Sequence, residues 1–256
     1  MPTKLETARS SGRAVAMGAL TVGMLAGVTL HQKLSPLPEE HALFQSWMKQ
    51  WASGLLQVFG VEATLATAVP REARGARLIV ANHRSPLDIL LLLRLFGGVV
   101  LSRGDLANWP VLGLAARRAE TIFVDRDDAM SGVMAVRQIR ERLRQGRTVI
   151  VFPEGTTHRG DNVHPFQQGA FVAARGLPVE VLPVGIAYQP GAEFVDETFV
   201  QHMTRVAGRP ATHLACAIGR PRILCGTRKQ LASSLTTEVQ ALVHDARHVL
   251  RFRTMT

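Results

Sequence analysis

A short apolar run that ends in a polar corner constrains this chain more than any other feature. Leu78-Ile79-Val80-Ala81 reads as a buried strand, and Ile89 to Phe96 as a buried helix. Between them stands Asn82-His83-Arg84-Ser85-Pro86-Leu87-Asp88. Ser85 suits an N-cap, Pro86 the first helical position and Asp88 the third. His83 therefore falls in the strand-to-helix loop and Asp88 in the first helical turn. On one continuous helix two residues five apart would point about 140° from each other. A loop-to-helix corner instead lets the chain double back and bring imidazole to carboxylate. A carboxylate on one ring nitrogen fixes the tautomer and leaves the other nitrogen free to act as a base. Ser85 to Asp88 also reads as a capping box with Asp in place of Glu, which needs no chemistry.

From Arg77 onward short apolar strands alternate with longer helices. The patterning predicts strands at Leu78–Ala81, Val99–Ser102, Thr121–Val124, Thr148–Phe152, Val181–Ala187 and His213–Ile218, with a further strand at Val61–Thr67. It predicts helices at Leu87–Phe96, Val111–Arg118, Ala129–Gln145, Gln168–Arg175, Asp196–Ala207 and Arg228–Arg251. This is the pattern of an α/β fold with a mixed, largely parallel sheet flanked by helices. If the strands ending at Ala81 and Phe152 are parallel neighbours, the loops after them share the carboxyl edge, where open α/β sheets bind ligands.

Asn-His-x-Ser-x-x-Asp at 82–88 resembles the first motif of the glycerolipid acyltransferase family. Phe123-Val124-Asp125-Arg126 resembles the second, Phe152-Pro153-Glu154-Gly155-Thr156 the third and Leu182-Pro183-Val184 the fourth, all in the family's order. The likeness runs from about Ala76 to Tyr188. It implies a membrane enzyme that acylates lysophosphatidic acid or a related lysolipid, and it assigns roles. His83 is then the general base on the acceptor hydroxyl and Asp88 its orienting partner. Arg126 holds an acceptor phosphate, which a guanidinium can grip through two oxygens. Glu154, Gly155 and Thr156 form the acceptor-binding loop. Arg103 stands where the family often carries Lys, and Trp109-Pro110 opens the helix that faces acyl chain or bilayer. Read as bare sequence, Arg126 is equally a solvated arginine and Pro153-Glu154-Gly155 a plain turn in which Glu154 accepts backbone hydrogen bonds.

Two departures bear on the acceptor. Thr157 stands where many phosphate-acceptor members have Arg, with Arg159 two places later as a possible substitute, and Gln167 and Gln168 occupy a stretch that usually carries Lys. The leading expectation is transfer from acyl-CoA or acyl carrier protein to 1-acylglycerol 3-phosphate. The alternative is the same chemistry on lyso-ornithine lipid or a lysophospholipid, and a different class altogether is a non-catalytic lipid-binding scaffold. The donor is a co-substrate, so no cofactor is implied. No His-x-x-x-His helix or Cys pair at ligand spacing points to a metal. No Gly-x-Ser-x-Gly elbow points to a serine hydrolase.

The 256-residue chain carries a formal net charge of +10, which attracts it to anionic surfaces. No zinc finger, RRM or P-loop pattern appears and stacking aromatics are scarce, so membrane lipid is the expected partner rather than nucleic acid. Cys216 and Cys225 are too few for a disulfide framework. Residues 1–60 read as membrane-anchoring helices ahead of an α/β acyltransferase domain over 61–256. Ala14 to Leu30 is uncharged, and its seventeen residues reach about 26 Å, the lower limit for a span. Gly23 and Gly27 suit close helix packing in lipid. A secretory signal is disfavoured by the lack of an Ala-x-Ala-like site, and a buried helix stays open. Glu39 to Phe59 is amphipathic and suits either the core or the bilayer interface. The expected location is the cytoplasmic face of the inner membrane.

Overall fold

The computed structural model describes residues 3–34, 40–71, 73–104, 107, 112–125, 128–223 and 225–253, with backbone alone at 40, 41, 103, 112, 129 and 253. Two helices, α1 (Lys4–Leu34) and α2 (Glu40–Val58), precede β1 (Val61–Leu65). Then come β2 (Arg77–Ala81), α3 (Leu87–Phe96), β3 (Val99–Arg103), α4 (Leu112–Arg118), β4 (Ile122–Val124), α5 (Ala129–Arg144) and β5 (Thr148–Val151). The chain closes with α6 (Gly169–Ala174), β6 (Glu180–Tyr188), α7 (Phe199–Gly208), β7 (Thr212–Ile218), β8 (Arg222–Ile223) and α8 (Arg228–Arg253).

Among the described residues the strands form one eight-stranded sheet in the order β1-β7-β6-β2-β5-β3-β4, with β8 added to β6. The block β6-β2-β5-β3-β4 is parallel throughout, while β7 and β8 run antiparallel to β6. The expected mixed, largely parallel sheet is what forms. The period-two pleat sends alternate residues to two helical layers. Ile79, Ala81, Ile150, Leu182, Val184, Ile186 and Tyr188 join a core with α1, α2, α3 and α7. Leu78, Val80, Val149, Val151 and Val181 join another with α5, α6 and α8. Strands buried on both faces are continuous apolar runs for this reason.

Helix α1 starts ten residues before the uncharged stretch read from the sequence. Its buried residues Ser10, Thr21, Met24 and Val28 recur at helical spacing and face the domain. Arg9 Nη1 donates to Gly208 O at 2.7 Å, and Arg13 donates to the carbonyls of Ala207, Arg209 and Pro210 at 2.6 to 3.1 Å. These carbonyls lie at the C-terminal end of α7, where helical C=O groups lack intrahelical partners and cations are favoured. Further along, Trp51 Nε1 donates to Thr21 Oγ1 at 3.1 Å. A Cβ on Gly27 would lie 2.6 Å from the Trp47 ring, so this glycine serves the contact with α2. Nothing stands within 4 Å of a Cβ on Gly23.

Candidate active site

The β2–α3 corner forms as its sequence dictates. Strand β2 pairs in parallel with β5 through Val80↔Val151 and with β6 through Ala81↔Val184. The loops after β2 and β5 therefore leave the same edge. Asn82 prolongs β2 with its side chain: Nδ2 donates to Ile186 O at 2.9 Å, and Ile186 N donates to Oδ1 at 2.8 Å. His83 then turns outward while Asp88, fully buried at the start of α3, reaches back. His83 Nδ1 lies 2.9 Å from Asp88 Oδ2. The same oxygen accepts the backbone N–H groups of Arg84 at 2.6 Å and Ser85 at 2.9 Å, and Oδ1 accepts the Tyr188 hydroxyl at 2.7 Å. The Asp88 carboxylate selects the Nδ1-protonated tautomer and leaves His83 Nε2 as the basic atom. The histidine side chain is 13% exposed and stacks on Phe152 with ring centroids 4.2 Å apart. The cap position falls on Pro86, one residue later than expected, yet Ser85 still closes the turn. Its hydroxyl accepts Leu87 N at 3.3 Å and meets His202 Nε2 at 2.9 Å, and its own N–H donates to Asp88 Oδ2 as in the capping box read from the sequence.

Glu154 supports the corner from within. Its buried carboxylate accepts His83 N at 2.6 Å, His164 N at 2.9 Å and both contacts of Arg84 Nη1 at 3.0 and 3.2 Å. Arg84, itself 1% exposed, also donates to the carbonyls of Gly160 and Asn162. A buried ion pair is tolerable because nearly every donor and acceptor around it is used. Gly155 adopts φ +81°, and a Cβ there would lie 2.4 Å from Gln167 Nε2. That side chain fills the space beneath the loop. Thr156 is exposed. Thr157 Oγ1 donates to Phe194 O, which ties the loop to the segment before α7. Arg159 leans away to Asp196 at 3.3 Å, with both side chains largely exposed. His158 and His164 stack at 3.6 Å beside the corner. Burial, then the neighbouring His164, lower the His158 pKa from its ordinary value. Arg126 and the Arg103 side chain lie outside the described residues, as do Trp109 and Pro110.

Residues 61–187 match the acyltransferase family model. The chain is 32% identical over 203 residues to a lyso-ornithine lipid O-acyltransferase of Pseudomonas aeruginosa, covering 77% of each protein. The chain belongs to the acyltransferase family. This acyltransferase is also 27% identical to a lyso-ornithine lipid O-acyltransferase of Rhodobacter capsulatus, over 94% of the chain and 93% of the relative. It is 29% identical to a 1-acyl-sn-glycerol-3-phosphate acyltransferase of Neisseria meningitidis over about half of each. Its fold matches the crystal structure of a 1-acyl-sn-glycerophosphate acyltransferase from Thermotoga maritima with a TM-score of 0.69 and 20% identity, covering 92% and 98% of the two chains.

The acyltransferase corner has supports that no local pattern announced. Tyr188 comes from β6, a hundred residues beyond Asp88. Fully buried His202 connects Ser85 to Glu197, with Nδ1 2.8 Å from Glu197 Oε1, and Arg205 pairs with the same carboxylate. A capping box between Thr198 and Gln201 starts α7 and sets His202 one residue later. Behind the corner lies a cavity of about 280 Å³. Pro86 and Leu87 contribute to its wall, and Met17, Trp51, Leu90 and Met203 are among the other residues that line it. Among the described residues no three His, Cys, Asp or Glu side chains are grouped to hold a metal ion.

Proposed function

We propose that this acyltransferase moves a fatty acyl group from a thioester, acyl-CoA or acyl carrier protein, to the free hydroxyl of a lysolipid at the cytoplasmic face of a membrane. The observation that carries the reading is the His83–Asp88 contact at 2.9 Å. It leaves His83 Nε2 as the basic atom of a corner backed by an apolar cavity. The hydroxyl oxygen attacks the thioester carbonyl while Nε2 takes its proton. The C–O bond forms and the C–S bond breaks. The imidazolium returns the proton to the departing thiolate, so an ester and a free thiol leave. Asp88 stabilises the transient imidazolium, and no covalent acyl-enzyme is required. The cavity suits an acyl chain, being lined almost wholly by apolar side chains.

The acceptor this reading favours is a lysolipid without a phosphomonoester, lyso-ornithine lipid above all. Thr157, Gln167 and Gln168 supply no positive charge, and Arg159 is engaged with Asp196. His158 is held toward its neutral form. The Pseudomonas and Rhodobacter relatives carry that acceptor in their names. The second reading, 1-acylglycerol 3-phosphate, draws on the Phe123-Val124-Asp125-Arg126 motif and the Neisseria relative. A panel of both acceptors with an acyl thioester, read by release of free thiol, separates them. We expect turnover with lyso-ornithine lipid, and a loss on the order of a hundredfold or more in His83→Ala at unchanged melting temperature. Normal turnover by that variant overturns the mechanism, and a preference for the phosphate acceptor reverses the choice of substrate.

A further inference from the structure

Asp88 is hydrogen-bonded on every side. Oδ2 takes His83 Nδ1, Arg84 N and Ser85 N, and Oδ1 takes the Tyr188 hydroxyl at 2.7 Å. Tyr188 is the chain's single tyrosine and is 1% exposed. It sits at the end of β6, which continues past its last pairing with β2 at Val184 and is held there by the Asn82 side chain. Its ring packs in the core beneath α3, a task phenylalanine would perform equally well. What the hydroxyl adds is a donor aimed at the carboxylate that faces His83. Each donor on a carboxylate draws charge from it, and a carboxylate so engaged is a weaker partner for an imidazolium.

We propose that Tyr188 is a positioning residue that sets the base strength of His83, its hydroxyl drawing on Asp88 Oδ1 so that Asp88 holds the protonated ring less tightly. This rests on the reading of His83 as the base. Burial, and then the adjacent Asp88 charge, push the Tyr188 phenol well above its ordinary range, so the hydroxyl stays protonated and continues to donate. Most of the other ionisable groups around the pair are matched or held toward their neutral forms. Arg84 is paired with Glu154, and Arg205 with Glu197. His158 and His202 are both held below their ordinary values, chiefly by burial. His164 stacks on His158 from the loop. Cys216 on β7 is pushed up to about 12 by burial and stays a thiol. The start of α3 adds its fixed partial positive charge at Asp88. Tyr188 is the side chain through which Oδ1 can be altered while both ion pairs stay in place; its hydroxyl also meets the Ser85 side chain.

Because there is one tyrosine, growth on 3-fluorotyrosine alters this ring alone and makes its hydroxyl a stronger donor, while Tyr188→Phe removes the donor. The His83 ring signal, identified by its loss in His83→Gln, is followed by NMR across pH in the full-length protein. We expect its midpoint to move to higher pH in Tyr188→Phe, by about half a unit, and to lower pH in the fluorinated protein. The acid limb of kcat/KM should move in the same two directions. A midpoint unmoved in folded Tyr188→Phe, with only a loss of melting temperature or of rate at all pH values, reduces Tyr188 to packing and overturns the proposal. A midpoint that moves while the rate profile stays fixed upholds the tuning and removes His83 from the role of base. Should Tyr188→Phe not fold, the fluorinated protein decides by the same midpoint.

Discussion

Buried His202 couples the stability of the site to pH. Burial is the main force lowering its pKa from the ordinary 6.5, against the raising effect of Glu197. The unfolded chain therefore binds a proton at a pH where the folded protein still refuses it. Stability from this group is complete above 6.5 and is lost as pH falls below it, since the unfolded state then holds more protons. His158 acts in the same direction, while Glu197, whose pKa is lowered chiefly by Arg205, withdraws its contribution only further down, below 4.5. We expect denaturant unfolding to show a steeper fall between pH 6.5 and about 5 for the natural chain than for His202→Gln. Equal slopes would mean that the buried ring is not the source. The same residue marks the limit of the sequence. His83 and Asp88 are five apart, so a local pattern could pair them. Ser85 and His202 lie 117 apart, and Asp88 and Tyr188 a hundred, with nothing local to announce either. Glu154 was legible as a turn residue that accepts backbone hydrogen bonds, but its pairing with Arg84 was not.

At the scale of elements, the alternation of short apolar strands and amphipathic helices made the fold class legible, because buried parallel strands leave an unbroken apolar run. Strand order was not legible, since the letters do not say which neighbour a strand chooses. That β7 turns against β6, and that two-residue β8 joins its edge, follow from packing alone. Helix α8 lies so close over β6 that a Cβ on Gly185 would stand 2.3 Å from Val243 N and 2.4 Å from Leu242 C. Backbone cannot yield as a flexible side chain does. Gly185→Ala should therefore lower stability by roughly 3 kcal/mol, read as a shift of the urea midpoint. Gly132→Ala is the control of opposite sign. It lies within α5 with nothing within 4 Å of the added carbon, and should add roughly 0.5–1 kcal/mol through helix propensity. If both variants behave alike, the close approach of α8 to the sheet is not what makes Gly185 necessary.

For the whole molecule, the question is how a +10 chain with one long apolar helix meets a membrane. Among the described residues α1 is the one helix long and apolar enough to cross a bilayer. Its 31 residues would span about 46 Å. Yet Arg9 and Arg13 fasten its first half to the end of α7, and Thr21 and Gly27 seat the rest against Trp51 and Trp47 of α2, with Met24 and Val28 buried between them. A helix bound along its length cannot also be wrapped in lipid on all sides. What it can offer is its outer face, where Val15 is 74% exposed and Val22, seven residues on, is 55% exposed. Two forces should then add: apolar burial of this face in the interface, and attraction of the cationic domain to anionic headgroups. Val15→Asp and Val22→Asp alter only the exposed face, so folding should persist. Each should weaken co-sedimentation with vesicles of mixed anionic and zwitterionic lipid by roughly tenfold. Raising salt should weaken the remainder, because exposed charges are screened within about 10 Å at 0.1 M salt. Binding that survives both aspartates but vanishes in salt would assign the attachment to charge alone. Binding indifferent to both would place the attachment away from this face of α1, since an aspartate carried into the bilayer by an inserted helix would weaken binding still more.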